Sequence, residues 1–126
     1  MKKLEHFEQK GAYARFCPVG HLSFVEVAEL MSRAVVRCRQ KKIAKLLIDT
    51  TGLPGFHPPG MAEQYNLAER IASEAKSAVK IAHVAGPEWV RSGKFTAMVA
   101  KNRGLDANNF YSEPEALKWL LTPAEK

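Results

Sequence analysis

Cysteine is scarce in this chain: 126 residues hold two, Cys17 and Cys38, too few and too far apart for a disulfide framework or a thiolate zinc site. Reduced thiols and a cytoplasmic protein are the economical expectation. Long apolar runs are also missing, and nothing approaches the ~20 residues that span a bilayer, so no transmembrane segment is expected. The opening "MKKLEHFEQKG" has two lysines but no apolar centre, which argues against a secretory leader. There is no repeat and no low-complexity tract. The four histidines, His6, His21, His57 and His83, are dispersed with no H-x3-H or C-x2-C spacing, so neither a metal nor another cofactor is expected. What is present is the composition of one globular domain over residues 1–126, 46% hydrophobic and 25% charged.

Acids are outnumbered by bases, 13 to 19, which leaves a net charge of +6. The densest basic stretch is "RAVVRCRQKKIAK", Arg33 to Lys45, with six cations and no acid. Arg33, Arg37 and Lys41 fall at i, i+4 and i+8, one face of a helix, and cations near a helix C-terminus are favoured by its dipole. No aromatics interleave these charges and no nucleic-acid-binding motif accompanies them, so nucleic acid is not expected as a partner.

Periodicity alternates between strand and helix. Leu4–Gln9 and Ala12–Cys17 flank Lys10-Gly11 and predict an antiparallel hairpin at a sheet edge. Ser23 and Glu26 form an S-x-x-E capping box ahead of Val27, Leu30, Met31, Ala34, Val35 and Cys38 at helical spacing. Cys38 therefore belongs to a core stripe. The unbroken Leu46-Leu47-Ile48 suits a central parallel strand covered on both faces. A second helix is predicted on Met61, Tyr65, Ala68, Ile71, Ala72 and Ala75, with Pro58 and Pro59 at its start. "VKIAHVAG" makes a third core strand, with Val79, Ile81 and Val84 apolar. A further helix carries Phe95, Met98, Val99 and Asn102 and stops at Gly104. A short strand in "ANNFYS" precedes a last helix, capped by Ser112 with Glu115 three on, whose stripe is Leu117, Leu120 and Leu121. The order β-β-α-β-α-β-α-β-α implies an α/β fold with a mostly parallel sheet.

Sites in such sheets lie beyond the carboxyl ends of the strands. Two loops qualify, "DTTGLPGFHPPGM" after Ile48 and "GPEWVRSGKF" after Val84. Gly93-Lys94 resembles the end of a phosphate loop, but Phe95 stands where Ser or Thr is required and the preceding Gly86 is seven positions back rather than five. No G-x-G-x-x-G or G-x-S-x-G occurs. Cys17, before Pro18 at a strand end, has no evident partner as a nucleophile. His83, inside an apolar strand, reads as a core or sheet-face histidine, whereas His57 in the loop is the histidine of functional interest. No catalytic set can be assembled from spacing, so an enzyme is not expected.

At these residues a family resemblance emerges. "LLIDTTGL" resembles the I-D-S-S-G-L segment of STAS domains, the anti-anti-sigma regulators. "KFTAMVAKNRGLDANNFYSEPEALKWLL" is similar to the C-terminal half of the SpoIIAA-like branch, in which a helix ending N-R-G leads to a short strand and an acidic helix ending A-x-x-W-L. The likeness runs over residues 12 to 121. It implies a bacterial-style STAS/SpoIIAA-like domain with a four- or five-stranded sheet, an N-terminal antiparallel hairpin and about four helices, distantly similar to CRAL-TRIO lipid-binding domains. In phosphoregulated relatives the hydroxyl residue just before the glycine is the acceptor. That places the phosphoacceptor region at Asp49, Thr50, Thr51 and Gly52. The chain departs from that pattern in carrying Thr at both hydroxyl positions. It also inserts Leu53 to Pro59 before the helix, so the helix dipole is not expected to point at Thr51.

Three functions follow as expectations, in order. The first is a regulatory module that binds a protein partner, a second copy of itself included, through the face around Asp49–Pro59 and Trp89–Lys94. The second is a carrier of an apolar, lipid-like small molecule, with Phe56, His57, Met61, Tyr65 and Trp89 lining a pocket of roughly a few hundred cubic ångströms. The third, an enzyme, requires His57 beside Asp49.

Overall fold

The computed structural model describes residues 6–57 and 59–122, with the backbone alone for residues 94–97, 99 and 100. Strands β1 (Phe7–Lys10) and β2 (Tyr13–Phe16) pair antiparallel through the two-residue turn Gly11-Ala12. Helix α1 (Phe24–Gln40), β3 (Lys45–Asp49), α2 (Met61–Ala75), β4 (Lys80–Val84), α3 (Pro87–Asn102), β5 (Ala107–Phe110) and α4 (Glu113–Leu121) follow. The sheet order is β1-β2-β3-β4-β5, and every pairing after the hairpin is parallel. The expected α/β fold, with its edge hairpin, five strands and four helices, is therefore observed. The expected strand at Leu4–Gln9 begins only at Phe7, and Leu4 lies outside the described residues. No helix among the described residues is long and apolar enough to cross a membrane.

Because the parallel strands are laid down in chain order, the connecting helices share one face. α1 packs on α2 and α2 on α3, while α4 covers β3, β4 and β5 from the other side. Strand alternation then sorts the core. Leu46, Ile48 and Ile81 enter the large cluster under α1–α3, and Leu47, Ala82 and Val84 enter the small one under α4 with Ala116 and Leu120. Leu46, Leu47 and Ile48 are fully buried, each contributing about 1.5–3 kcal/mol of transfer free energy. This explains the uninterrupted apolar run.

The caps form as their local chemistry dictates. Ser23 Oγ accepts from Glu26 N–H (3.2 Å) and Glu26 Oε1 accepts from Ser23 N–H (3.0 Å), closing both halves of the box. Ser112 Oγ accepts from Glu115 N–H. Gly104 takes φ +84 just past α3, as a C′ glycine does. Cys38 is fully buried, and burial pushes its thiol up to about 12.

Three helix faces differ from the periodic reading. In α2 the expected Ile71 and Ala75 are buried and Ala68 and Ala72 pack against the core, but Gln64 and Leu67 complete the buried face in place of Met61, which is 46% exposed, and Tyr65, which is half-buried. Gln64 is tolerated inside because its amide donates to Pro59 O (3.1 Å) and Ser92 Oγ (2.7 Å). Pro59 itself is buried two residues ahead of the helix, and Pro58 lies outside the described residues. Helix α3 begins at Pro87, so most of the expected loop Gly86–Phe95 is helical, with proline at the first turn where its missing N–H costs nothing. It buries Trp89 and Val90, while Met98 is 62% exposed and Asn102 is also exposed. Phe95 and Val99, expected on the same stripe, lie outside the described side chains. In α4, Ala116 and Leu120 are buried, Leu117 half-buried and Leu121 exposed.

Candidate functional site

The parallel strands deliver their carboxyl ends to one edge of the molecule. There, the residues of β3, β4 and β5 that face α1–α3 are polar instead of apolar. The register pairs Ile48 with His83 and His83 with Asn109, and Thr50 follows Ile48 by two, so Thr50, His83 and Asn109 share one face on neighbouring strands. They are joined in a row. Thr50 Oγ1 lies 2.9 Å from His83 Nε2, and His83 Nδ1 lies 2.9 Å from Asn109 Oδ1. Asn109 Nδ2 donates to Gly93 O at 3.4 Å, which turns Oδ1 towards the imidazole. That arrangement assigns the proton to His83 Nδ1 and leaves Nε2 to accept from the Thr50 hydroxyl.

His83 and Thr50 are both buried. Desolvation dominates and pushes the imidazole down to about 4, against the smaller opposing effects of the Asn109 hydrogen bond and the Asp49 charge. The ring is therefore neutral at physiological pH. Trp89 closes over it edge-on, with centroids 4.5 Å apart at 77°. Phe56 stacks on the other part of Trp89 (5.9 Å, 22°), and Phe24 meets it edge-on at 6.1 Å.

A cleft of about 510 Å³ opens above this row. Thr50, Thr51 and Leu53 supply one side, Phe56 and Trp89 the apolar wall, and the first turn of α3 with Arg91 the far side. A smaller apolar pocket of about 80 Å³ lies on the inner side of Trp89, lined by Met31, Leu67, Ile71 and Leu105 among others, with His83 and Asn109 at its polar edge. Trp89 borders both spaces.

The anticipated acceptor segment divides by strand phase. Thr50 points inward, while Thr51 and Gly52 are exposed. Asp49 points to the α4 side of the sheet and its Oδ1 accepts from Thr51 N–H (2.9 Å) and Thr51 Oγ1–H (2.6 Å). Among the described residues no hydrogen bond joins Asp49 to His57, which is exposed, so the pair on which an Asp49/His57 enzyme depended is not assembled. Of the anticipated pocket residues, Phe56 and Trp89 meet at the cleft. His57, Met61 and Tyr65 line neither space; the Tyr65 hydroxyl instead accepts from Arg103 (2.9 Å), beside Glu69.

Cys17, Asp49 and Glu113 bring one potential ligand atom each within 4.8 Å of one another on the α4 side. Arg15 already bonds Glu113 there, with Nε at 2.9 Å from Oε1, and supplies the positive charge a cation would bring. Burial holds the Cys17 thiol above its ordinary range, which also disfavours the thiolate ligand.

His83, Asn109 and Gln64 were not singled out as site residues from the sequence. For His83 and Asn109 the available signal was phase, each being polar at a position where its strand's alternation calls for an apolar side chain, whereas Gln64 lies off the stripe expected for α2 and gave none. No family model matches the chain, and comparison with curated proteins and with solved structures finds no match.

Proposed function

We propose that this chain is a binding module that takes a small ligand with a flat apolar part in the cleft beyond β3 and β4. The observation that carries the reading is the 510 Å³ cleft itself, with its stacked Phe56–Trp89 wall. Polar groups at its floor and rim orient such a ligand, and the aromatic wall supplies the area. This favours the carrier or sensor of a partly apolar molecule over a flat protein-binding face. The test is amide chemical-shift mapping with a panel of small aromatic acids, alcohols and esters. Shifts confined to residues 50–56 and 86–91 are expected; shifts elsewhere, or none across the panel, refute the assignment.

A second reading follows the resemblance to phosphoregulated STAS domains and rests on one observation: the exposed hydroxyl of the pair is Thr51, with Thr50 held inside. A kinase would reach Thr51, where a phosphate adds about −1.5 to −2 charge at the mouth of the cleft. Intact mass of protein purified from its source cells, with peptide mapping, tests it. A phosphoryl group on Thr51 supports the regulatory reading, and its consistent absence under all growth conditions removes it.

A further inference from the structure

We infer that Thr50 is a reactive hydroxyl, the acyl acceptor of a Thr50–His83–Asn109 relay at the floor of the cleft. The inference rests on the reading of that cleft as a ligand site and goes beyond binding to a covalent step.

Hydroxyl reactivity needs a nucleophile within reach of a base, and a third group that holds the base in one tautomer. Both links measure 2.9 Å here, and the chain continues to a backbone carbonyl that fixes the Asn109 amide. The Nε2 of the neutral imidazole lies 2.9 Å from the hydroxyl, the geometry of a general base, while burial makes it a weaker base than an ordinary imidazole. The fold does not demand this row. The neighbouring same-face positions are Leu46, Ile48, Ile81 and Ala107, and an apolar triplet there would leave no buried polar group to satisfy. Thr50 borders the cleft with only 5% of its surface exposed, and His83 and Asn109 lie behind it.

The opposite wall suits the charge such a step develops. Pro87 has no N–H, and Val90 is the residue whose N–H bonds back to Gly86 O (3.0 Å). The Glu88 and Trp89 amides therefore belong to the helical turn that has no intrahelical acceptor, and both residues line the cleft. The substrate class is an ester of a small carboxylic acid whose apolar part lies against Phe56 and Trp89. Thr50 Oγ1 attacks the carbonyl carbon while its proton passes to His83 Nε2. The bond to the leaving oxygen then breaks, giving acyl-Thr50 and a free alcohol or phenol that takes the proton from His83. Asn109 acts as a positioning residue.

Para-nitrophenyl acetate is the probe, with para-nitroacetanilide as its unreactive analogue. Wild-type protein is expected to gain one acetyl group mapped to Thr50, stable to neutral hydroxylamine, which would strip a thioester from Cys17, but released by alkaline hydroxylamine, which leaves a lysine amide intact. Thr50→Val abolishes that adduct and Thr50→Ser keeps it. His83→Gln lowers the acetylation rate on the order of 10²–10⁴-fold. Asn109→Ala lowers the rate while leaving the anilide's dissociation constant unchanged, a split that loss of folding would not produce. If the anilide shifts the cleft resonances but Thr50 stays unmodified, the binding reading stands and the relay falls. If the anilide does not bind and no Thr50 adduct forms, both fall. Equal labelling of wild type and Thr50→Val overturns the relay outright.

Discussion

Replacing His83 with glutamine tests the buried row by its pH dependence. In the folded chain the imidazole loses its proton at about 4, against an ordinary value of 6.5. Below pH 6.5 the unfolded chain therefore takes up a proton that the folded chain refuses, and stability falls as the pH falls towards 4. Each pH unit is worth 1.36 kcal/mol for one proton, so the window from 6.5 to about 4 removes about 3 kcal/mol, a large share of the stability of a domain this size. Above pH 6.5 the contribution is complete. The assay is urea unfolding followed by tryptophan emission across that window, for wild type and for His83→Gln. The variant keeps a polar side chain but does not titrate, and the exposed His6, His21 and His57 cancel in the difference. The wild-type curve should lose about 3 kcal/mol more than the variant's between pH 6.5 and 4. Parallel curves would refute the reasoning, because they would mean that the folded imidazole protonates as readily as the unfolded one.

Gly93→Ala places a methyl 2.5 Å from Asn109 Nδ2 and 3.3 Å from its Cγ, and should cost about 1–3 kcal/mol by overpacking, read as a lowered urea midpoint. An unchanged or raised midpoint would show that Asn109 moves aside freely. Ser23→Ala removes half of the α1 capping box and should cost about 1 kcal/mol in the same assay. In thiol titration with a disulfide reagent at neutral pH, native protein should expose Cys17 only, because Cys38 is fully buried and its thiol lies at about 12; unfolding should release the second thiol.

What could be read in the chain was what depends on near neighbours. The Ser23–Glu26 and Ser112–Glu115 caps, the stop at Gly104 and the two-sided strand at Leu46–Ile48 all form as their local chemistry requires. Errors arose where a distant residue overrode the local pattern. Gly93 reads as a loop glycine, yet it sits in the middle of α3 because Asn109 from β5 approaches where a side chain would be. Gln64 lies off the stripe expected for α2, yet it is buried, with its amide bonded to Ser92 from α3. The thirteen-residue connection after Ile48 reads as one site, but strand phase sends Asp49 and Thr50 to opposite faces of the sheet.

By itself the sequence determined the architecture, since alternation, helical period and capping are short-range and survive without knowledge of what packs against what. It also settled which thiol is inert, through the stripe that carries Cys38. The sequence placed Thr50, Phe56 and Trp89 among the candidates, but which residues meet at the site was decided by the tertiary structure. Thr50, His83 and Asn109 stand 33 and 26 residues apart, and only parallel pairing of β3, β4 and β5 in one register brings their side chains to 2.9 Å of each other. The cleft likewise exists because Phe56 from a loop and Trp89 from a helix meet across two crossovers. Which residue stands beside which across strands is a property of strands laid side by side, and no spacing along one strand names the neighbour.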